Sequence, residues 1–463
     1  MTAEIGILNK TAVVLAADSA VTISAGSSQE KIYDSADKLF ELSCGDPIGV
    51  MVNGDMNFMQ APLSVLVKDY RNGCVPFKAV TDAAESFLQY LEKFGVEAPE
   101  AVKVAAIRAA IEPPLRTVIT RADDAFIKRI VQPKSDDEAH DFTNKVVNLR
   151  REALSEQLGV MRAALQRLQN ANFLGKKNFK PKKRDTDTID TVIAEMLSSL
   201  SEEDVLIARE IGQLALSKRG TGPTHTGVIV AGFGVKELFP TLVAFELYGV
   251  VGDRLKFAKK EMIDIDRQGT KAKVVPFAQR EMVERFLYGL DDSIKRNITT
   301  FCKASVPKIR EKILDMLDMS EDDATQIGKE AVDAENAFFE GLANDSFDAI
   351  RAQSQAEIED MVEFMPKPEM ARMAEALVNL TSIKRRVSRG METVGGPIDV
   401  AVISKAEGFV WVKRKHYFAS ELNARYFDRM RARQDRQEER HGYDMHSGYD
   451  HAAGGSASPS DSR

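Results

Sequence analysis

The sequence predicts an α+β protein, built as a four-layer αββα sandwich and interrupted by two helical insertions. Three observations lead there. Short apolar, β-prone runs come in groups, at the start of the chain, around 226–257 and around 397–415, with amphipathic helical stretches between the groups. The run Ala12–Ala17 is apolar almost without a break, which is how a strand reads when both its faces are covered. The stretches 97–222 and 301–366 are charged, helix-favouring and lack such runs, so they read as additions to the frame.

In chain order, 3–8 and 11–17 flank Asn9-Lys10 and predict a tight hairpin. A second hairpin follows, with Lys38–Ser43 leading through a turn at Cys44-Gly45-Asp46 into Pro47–Gly54. From about Asn57 the period becomes helical, and Phe58, Leu63, Leu66 and Val67 mark one helix while Phe87, Leu88 and Leu91 mark another over 77–94. The helical region 97–222 is expected to break at Pro113-Pro114, at Pro133 and across 175–187. Strands return at 226–234, 241–248 and 254–257, and a helix is expected from near Phe277. Acidic helical sequence then runs to Met365-Pro366-Lys367-Pro368, and a further helix carries Met370, Met373, Leu377, Leu380 and Ile383. Pro397–Ile403 and Phe409–Lys415 close the chain as strands around Lys405–Gly408. The tail from about Arg431 is polar and Gly/Ser-rich and is expected to be disordered. The expected division is therefore 1–96, 223–300 and 367–430 for the sandwich, 97–222 and 301–366 for the insertions, and 431–463 for the tail.

The chain has 463 residues and is 44% hydrophobic, enough for a large core. Its net charge of -7 disfavours general attraction to nucleic acid or anionic membranes. Cys44, Cys74 and Cys302 are odd in number and widely spaced, which suggests neither a disulfide framework nor a zinc site. No secretory leader pattern is present, nor a run of about 18 uncharged apolar residues. A cytoplasmic protein is expected.

Chemistry is concentrated in the first 54 residues. Once Met1 is removed, Thr2 carries a hydroxyl and a free α-amine within one residue, a nucleophile with its own base. If the first turn has three residues, Thr2 falls opposite Asp18; if it has two, Thr2 falls opposite Ala17. The second hairpin places Lys38 opposite Val52, beside Asn53-Gly54. The amine would take the hydroxyl proton through a water, and the Lys38 ammonium would lower the pKa of both groups. Asp18 would orient the lysine, and the Asn53 or Gly54 amide would hold an oxyanion. Alone, a threonine at position 2 is a permissive start residue; the joint placement makes it a candidate.

These blocks, Thr2-Ala3-Glu4-Ile5-Gly6-Ile7, Val13-Val14-Leu15-Ala16-Ala17-Asp18-Ser19 with Thr22, Lys38-Leu39-Phe40-Glu41-Leu42 and Met51-Val52-Asn53-Gly54, resemble the start of proteasome β subunits and their bacterial peptidase relatives, N-terminal-nucleophile hydrolases. Gly227–Gly232, Gly395–Val400 and Gly408–Val412 resemble later strands of that family, so about half the chain is covered. The resemblance implies a threonine protease or amidohydrolase with Thr2, Asp18 and Lys38 as the catalytic set. It further implies Thr22 as a binder of substrate backbone and Asn53 or Gly54 as the oxyanion amide. It implies no cofactor and no metal, a peptide or other amide substrate, a homo-oligomer, and an unfoldase or other protein partner. No propeptide is expected, only Met1 excision.

Two departures stand out. The family has a Gly-Ser-Gly turn before its third helix where this chain has Val274-Val275-Pro276-Phe277. It has Asp and Ser just before the Gly-Gly, where this chain has Met391-Glu392-Thr393-Val394, so Glu392 stands in for the Asp one position out of register. These carry the alternative expectation, a catalytically inactive proteasome-like scaffold for assembly or interaction. The basic run Gly175–Arg184 reads as a solvated loop, and nucleic acid is not expected there. His441, His446 and His451 match no firm ligand spacing, His225 reads as a loop or core residue, and no HExxH or GxSxG occurs.

Overall fold

Asn9 shapes the first hairpin. In the computed structural model, which describes residues 2–24, 30–43, 46–73, 76–130, 136–175, 179–197, 200–222, 225–316, 320–388, 394–429 and 431–432, its side-chain oxygen accepts the amides of Thr11 (2.9 Å) and Ala12 (3.2 Å). The Asn9 amide in turn reaches Ala12 O at 3.1 Å. This side-chain-stabilised turn makes the loop longer than either expected form. Strands β1 (Ala3–Asn9) and β2 (Val13–Ala17) consequently pair with Leu8 opposite Val13 and Glu4 opposite Ala17. Both expected registers are corrected: Ala3, not Thr2, stands level with Asp18, whose amide reaches Ala3 O at 3.1 Å.

The elements then run β3 (Val21–Ser24), β4 (Glu30–Tyr33), β5 (Leu39–Glu41) and β6 (Ile48–Gly54). The helix expected from Asn57 begins later, because Met59 and Gln60, at φ 49° and 64°, turn a minimal hairpin of β7 (Asn57–Phe58) and β8 (Ala61–Pro62). Helices α1 (Leu63–Gly73), α2 (Val80–Glu97), α3 (Glu100–Arg129) and α4 (Asp136–Arg167) follow. Pro113-Pro114 does not break α3; both lie inside its 30 residues, where Ile111, Pro114, Leu115 and Val118 are buried together and tertiary packing outweighs the lost backbone donors. After β9 (Asn172–Phe173) come α5 (Lys183–Met196), α6 (Glu202–Ser217), β10 (Thr226–Gly232), β11 (Thr241–Val251) and β12 (Arg254–Asp264). β13 (Ala272–Ala278) was not expected, and it moves the start of the next helix back from Phe277 to α7 (Glu281–Tyr288). The remainder is α8 (Asp292–Met316), α9 (Glu321–Gly341), a π-helical turn at Leu342–Asp348, α10 (Ala349–Glu363), α11 (Lys367–Arg386), β14 (Asp399–Ser404) and β15 (Gly408–Lys413).

This is a mixed α/β chain with antiparallel sheets, divided into two compact units. The first comprises Met1–Leu39, Glu237–Pro240 and Ile263–Arg433. Its five-stranded sheet has the order β13-β1-β2-β14-β15. Every residue of β1 and β2 is buried, as their unbroken apolarity implies. Ile5, Ile7, Val14, Ala16, Val400 and Val402 of this sheet share a core with Leu377 and Val378 of α11 and Val283 and Leu287 of α7.

Among the described residues, the second unit comprises Phe40–Lys236 and Thr241–Met262. The six-stranded sheet has the order β5-β6-β10-β11-β12-β9. Val50, Val52, Val228, Val230 and Val243 pack there with Val67 of α1 and Phe87, Leu88 and Leu91 of α2. The 97–222 region is not wholly helical, since β9 pairs with β12. Its helices form a separate apolar cluster around Ile107, Ile111, Leu158, Ile189 and Ile211, which also takes in Val251 of β11. The Cys44-Gly45 part of the second turn, Pro133, Cys74 and the tail from 433 lie outside the described residues.

Candidate active site

Three of the residues singled out from sequence meet at one end of the β1–β2 ladder. Asp18 follows β2, and Lys38 precedes β5; both are fully buried. Lys38 Nζ donates to Asp18 Oδ1 at 2.5 Å. The same carboxylate accepts the Ala3 amide on Oδ1 (3.1 Å) and the Gly395 amide on Oδ2 (3.0 Å). Both Asp18 oxygens are thus held, so the carboxylate cannot rotate away from the lysine. Ser19 continues the clamp, its amide reaching Gly395 O (3.2 Å) and its hydroxyl Pro397 O (2.5 Å). The strand that opens at Asp399 is thereby tied back to the end of β2.

Thr2 is 4% exposed, and its Oγ1 is buried with no hydrogen-bond partner. Its carbonyl accepts the Gln279 amide at 3.2 Å. That contact depends on Ala278, which ends β13 opposite Ala3 with φ 59°, a left-handed conformation costly for a residue with a Cβ. Arg385 Nε holds the Gln279 side chain at 2.6 Å. Val274–Phe277, expected to occupy the place of a turn, is strand, and the turn ahead of the helix falls at Ala278–Arg280.

Glu4 was not singled out from sequence, yet it is the most unusual group here. It is fully buried, one residue inside β1, and neither carboxyl oxygen has a hydrogen-bond partner. Oε1 lies 3.8 Å from Lys38 Nζ, within ion-pair range but beyond hydrogen bonding. Burial pushes its pKa from 4.5 up to about 8, against the pull of Lys38 and with added push from Asp18. The physics is chiefly burial: Glu4 is closed off from water, and the lysine 3.8 Å away is already bonded to Asp18 and offsets only part of the cost of a buried charge. Keeping the proton on Glu4 leaves a neutral Lys38–Asp18 pair, whereas releasing it would bury a net negative charge.

Thr22 lies on β3 opposite Ile32, and its hydroxyl also lacks a partner. Asn53 and Gly54 end β6 and belong to the second unit. Asn53 is buried opposite Gly227, and a Cβ added to Gly227 would meet Asn53 Oδ1 at 1.9 Å. Gly54 takes φ 73°, and a Cβ there would strike His225 O at 2.3 Å, so only glycine fits. Glu392 lies outside the described residues, as does Met1.

The other candidates resolve simply. Within Gly175–Arg184, Lys182 pairs with Asp253, and Arg184 reaches Asp253 (3.0 Å) and Glu100 (3.5 Å), so these charges are spent inside the second unit. His225 is half exposed, 3.7 Å from Glu246. The three tail histidines are outside the described residues. Among the described residues no cluster of His, Cys, Asp or Glu could hold a metal ion, and no helix is long and apolar enough to cross a membrane. Comparison with known protein families finds no match, and a search of curated proteins finds none.

Proposed function

We propose that this chain is a proteasome-like N-terminal-nucleophile hydrolase that cleaves peptide or other amide bonds through Thr2. The observation that carries the reading is the convergence of Thr2, Asp18 and Lys38 at one buried strand end, with Asp18 clamped on both oxygens and bonded to Lys38 at 2.5 Å. A lysine paired this way supplies fixed positive charge beside the threonine at no further cost in reorganisation. The fold we propose for the chain is a four-layer αββα sandwich.

On this reading, loss of Met1 frees the Thr2 amine, which takes the hydroxyl proton as Oγ1 attacks the substrate carbonyl. The backbone amide of Asn53 or Gly54 stabilises the oxyanion. The C–N bond breaks as the proton passes to the leaving amine, and water then hydrolyses the Thr2 ester. Thr22, with its unpartnered hydroxyl, holds the substrate backbone. The burial of Thr2 favours a second reading, a non-hydrolytic assembly scaffold of the same fold.

One experiment separates the two. Intact mass and N-terminal sequencing establish whether position 2 is the terminus, and a β-lactone or epoxyketone probe then reports the nucleophile. The expected result is a single adduct on Thr2 that Thr2→Ala abolishes. A retained Met1, or labelling that survives Thr2→Ala, overturns the proposal.

A further inference from the structure

The α8–α9 hairpin leaves apolar surface uncovered in an ordered way. No residue of the 25-residue α8 is buried. Phe301 is 70% exposed and Met316 77%, and Ile298, Ile309 and Ile313 are exposed as well. At about 100° per residue these five fall in a single stripe on α8. On α9, the exposed residues Ile327, Ala334 and Phe338 repeat at helical spacing and make a second stripe.

The hairpin's register is fixed by two contacts. Arg310 pairs with Glu335 at 3.1 Å, and Lys303 lies 6.0 Å from the centre of the Phe339 ring. Higher numbers on α8 meet lower numbers on α9, so the helices are antiparallel. The half-buried rows Cys302, Val306, Arg310, Leu314 and Ala324, Ala331, Glu335, Phe339 are the facing sides. Each exposed stripe is displaced from its facing row toward lower helical phase. For antiparallel helices that displacement carries both stripes to the same side of the hairpin. The result is one broad apolar face.

Charge is divided between the two helices. Asp292–Met316 carries six Lys/Arg against three Asp/Glu, and Glu321–Gly341 carries seven Asp/Glu against one Lys. Two copies placed face to face can be related by either of two twofold axes. An axis across the helices stacks α8 on α8, basic on basic. An axis along the helices sets α8 over the partner's α9, basic on acidic and antiparallel, which is the arrangement of a four-helix bundle. The latter axis preserves height along the hairpin. Because Arg310 stands level with Glu335, the exposed Lys312 of one copy then stands within one helical turn, about 4.5 Å along the axis, of the exposed Glu330 of the partner subunit, inside side-chain reach.

We propose that the α8–α9 face is a self-association surface, which joins two copies of this chain in an isologous four-helix bundle with α8 over the partner's α9. The occupant is a second copy because the face supplies both halves of its own charge complement. The surface is independent of the Thr2 chemistry and stands or falls apart from it.

Sedimentation velocity on the full chain, from low to high micromolar concentration, tests it. The wild type is expected to dimerise. Lys312→Glu and Glu330→Lys should each raise the dissociation constant by about five- to tenfold, and the double variant, which restores opposite charges, should recover most of that loss. Phe301→Ser should raise it by about thirtyfold or more. These positions are exposed, so far-UV circular dichroism should be unchanged, and the charge-swap rescue distinguishes an interface from a folding defect. A monomer at every concentration, association indifferent to all three substitutions, or a double variant no better than the single ones overturns the proposal. So does a tighter dimer from Lys312→Glu alone, the signature of α8 stacked on α8.

Discussion

Glu4→Gln is the most informative single change in the buried site. A carboxyl raised from 4.5 to about 8 by burial is stabilised as the neutral acid in the folded protein and ionises freely when unfolded. Its contribution to stability is therefore fully present below pH 4.5 and is lost progressively as pH rises through about 8. At about 1.4 kcal/mol for each pH step between those limits, the loss approaches roughly 5 kcal/mol, and local relaxation will reduce it to the order of 3 kcal/mol. Glutamine keeps the shape and the neutral charge of the protonated acid but has no proton to lose. Urea unfolding of both proteins across the pH range should show similar stability in mild acid. The variant should pull ahead by about 1 kcal/mol or more per pH unit until the gap levels off above pH 8. An infrared band of a protonated carboxyl, present at neutral pH and absent from Glu4→Gln, gives an independent readout. A stability difference that does not change with pH would refute the reasoning, since it would mean that Glu4 is already ionised as Lys38's second partner.

Two further substitutions probe the same electrostatics from other sides. Asp18→Asn removes the 2.5 Å partner of a fully buried lysine and should cost about 3 kcal/mol at neutral pH, with Glu4 ionising to replace the lost charge; chemical denaturation measures the first, and disappearance of the protonated-carboxyl band the second. Unchanged stability would show that the Lys38–Asp18 pair is not the anchor of this strand end. In the second unit, Lys256 is 1% exposed, donates to Ala215 O (2.8 Å) and Thr221 Oγ1 (3.1 Å), and has its pKa pushed down to about 7 by burial. Its stabilising contribution is present above its unfolded value of 10.5 and is lost as pH falls through about 7, so Lys256→Met should gain stability relative to wild type as pH drops from 10 toward 7, by up to a few kcal/mol. Thermal melts across that range check the slope, and a flat difference would place water or a counter-charge at the amine.

The frame of the fold was readable because burial leaves a strong mark on composition. Val13–Ala17 and Thr226–Gly232 are strands closed on both faces, and nothing but apolar or small side chains fits there. What escaped reading depended on contacts that no local pattern encodes. The proline pair in α3 looks like a break, and only the packed cluster around Leu115 and Val118 keeps it helical. β13 has Pro276 in its middle, a poor strand signal, yet Pro276 sits opposite Ile5 on an outer strand of the sheet, where one missing donor is tolerated. The hairpin register turned on the side chain of Asn9, which folds back onto the amides of its own turn.

Glu4 is a different case, because the inference was within reach. If β2 is covered on both faces, its neighbour β1 is covered too, and a glutamate one residue into β1 has no solvent to face. A charged residue type in a doubly covered strand must find a counter-ion, keep its proton, or destabilise the fold. The three options leave different traces, and Glu4 takes the second. Asp18 is already bonded to the only lysine at this strand end among the described residues, and the carboxyl 3.8 Å from that lysine holds its proton. The protonated state of Glu4 follows from a sequence fact, the unbroken apolar partner strand that leaves β1 no solvent to face. Only the clamp on Asp18 by Ala3 and Gly395, which holds it against Lys38, needed the fold.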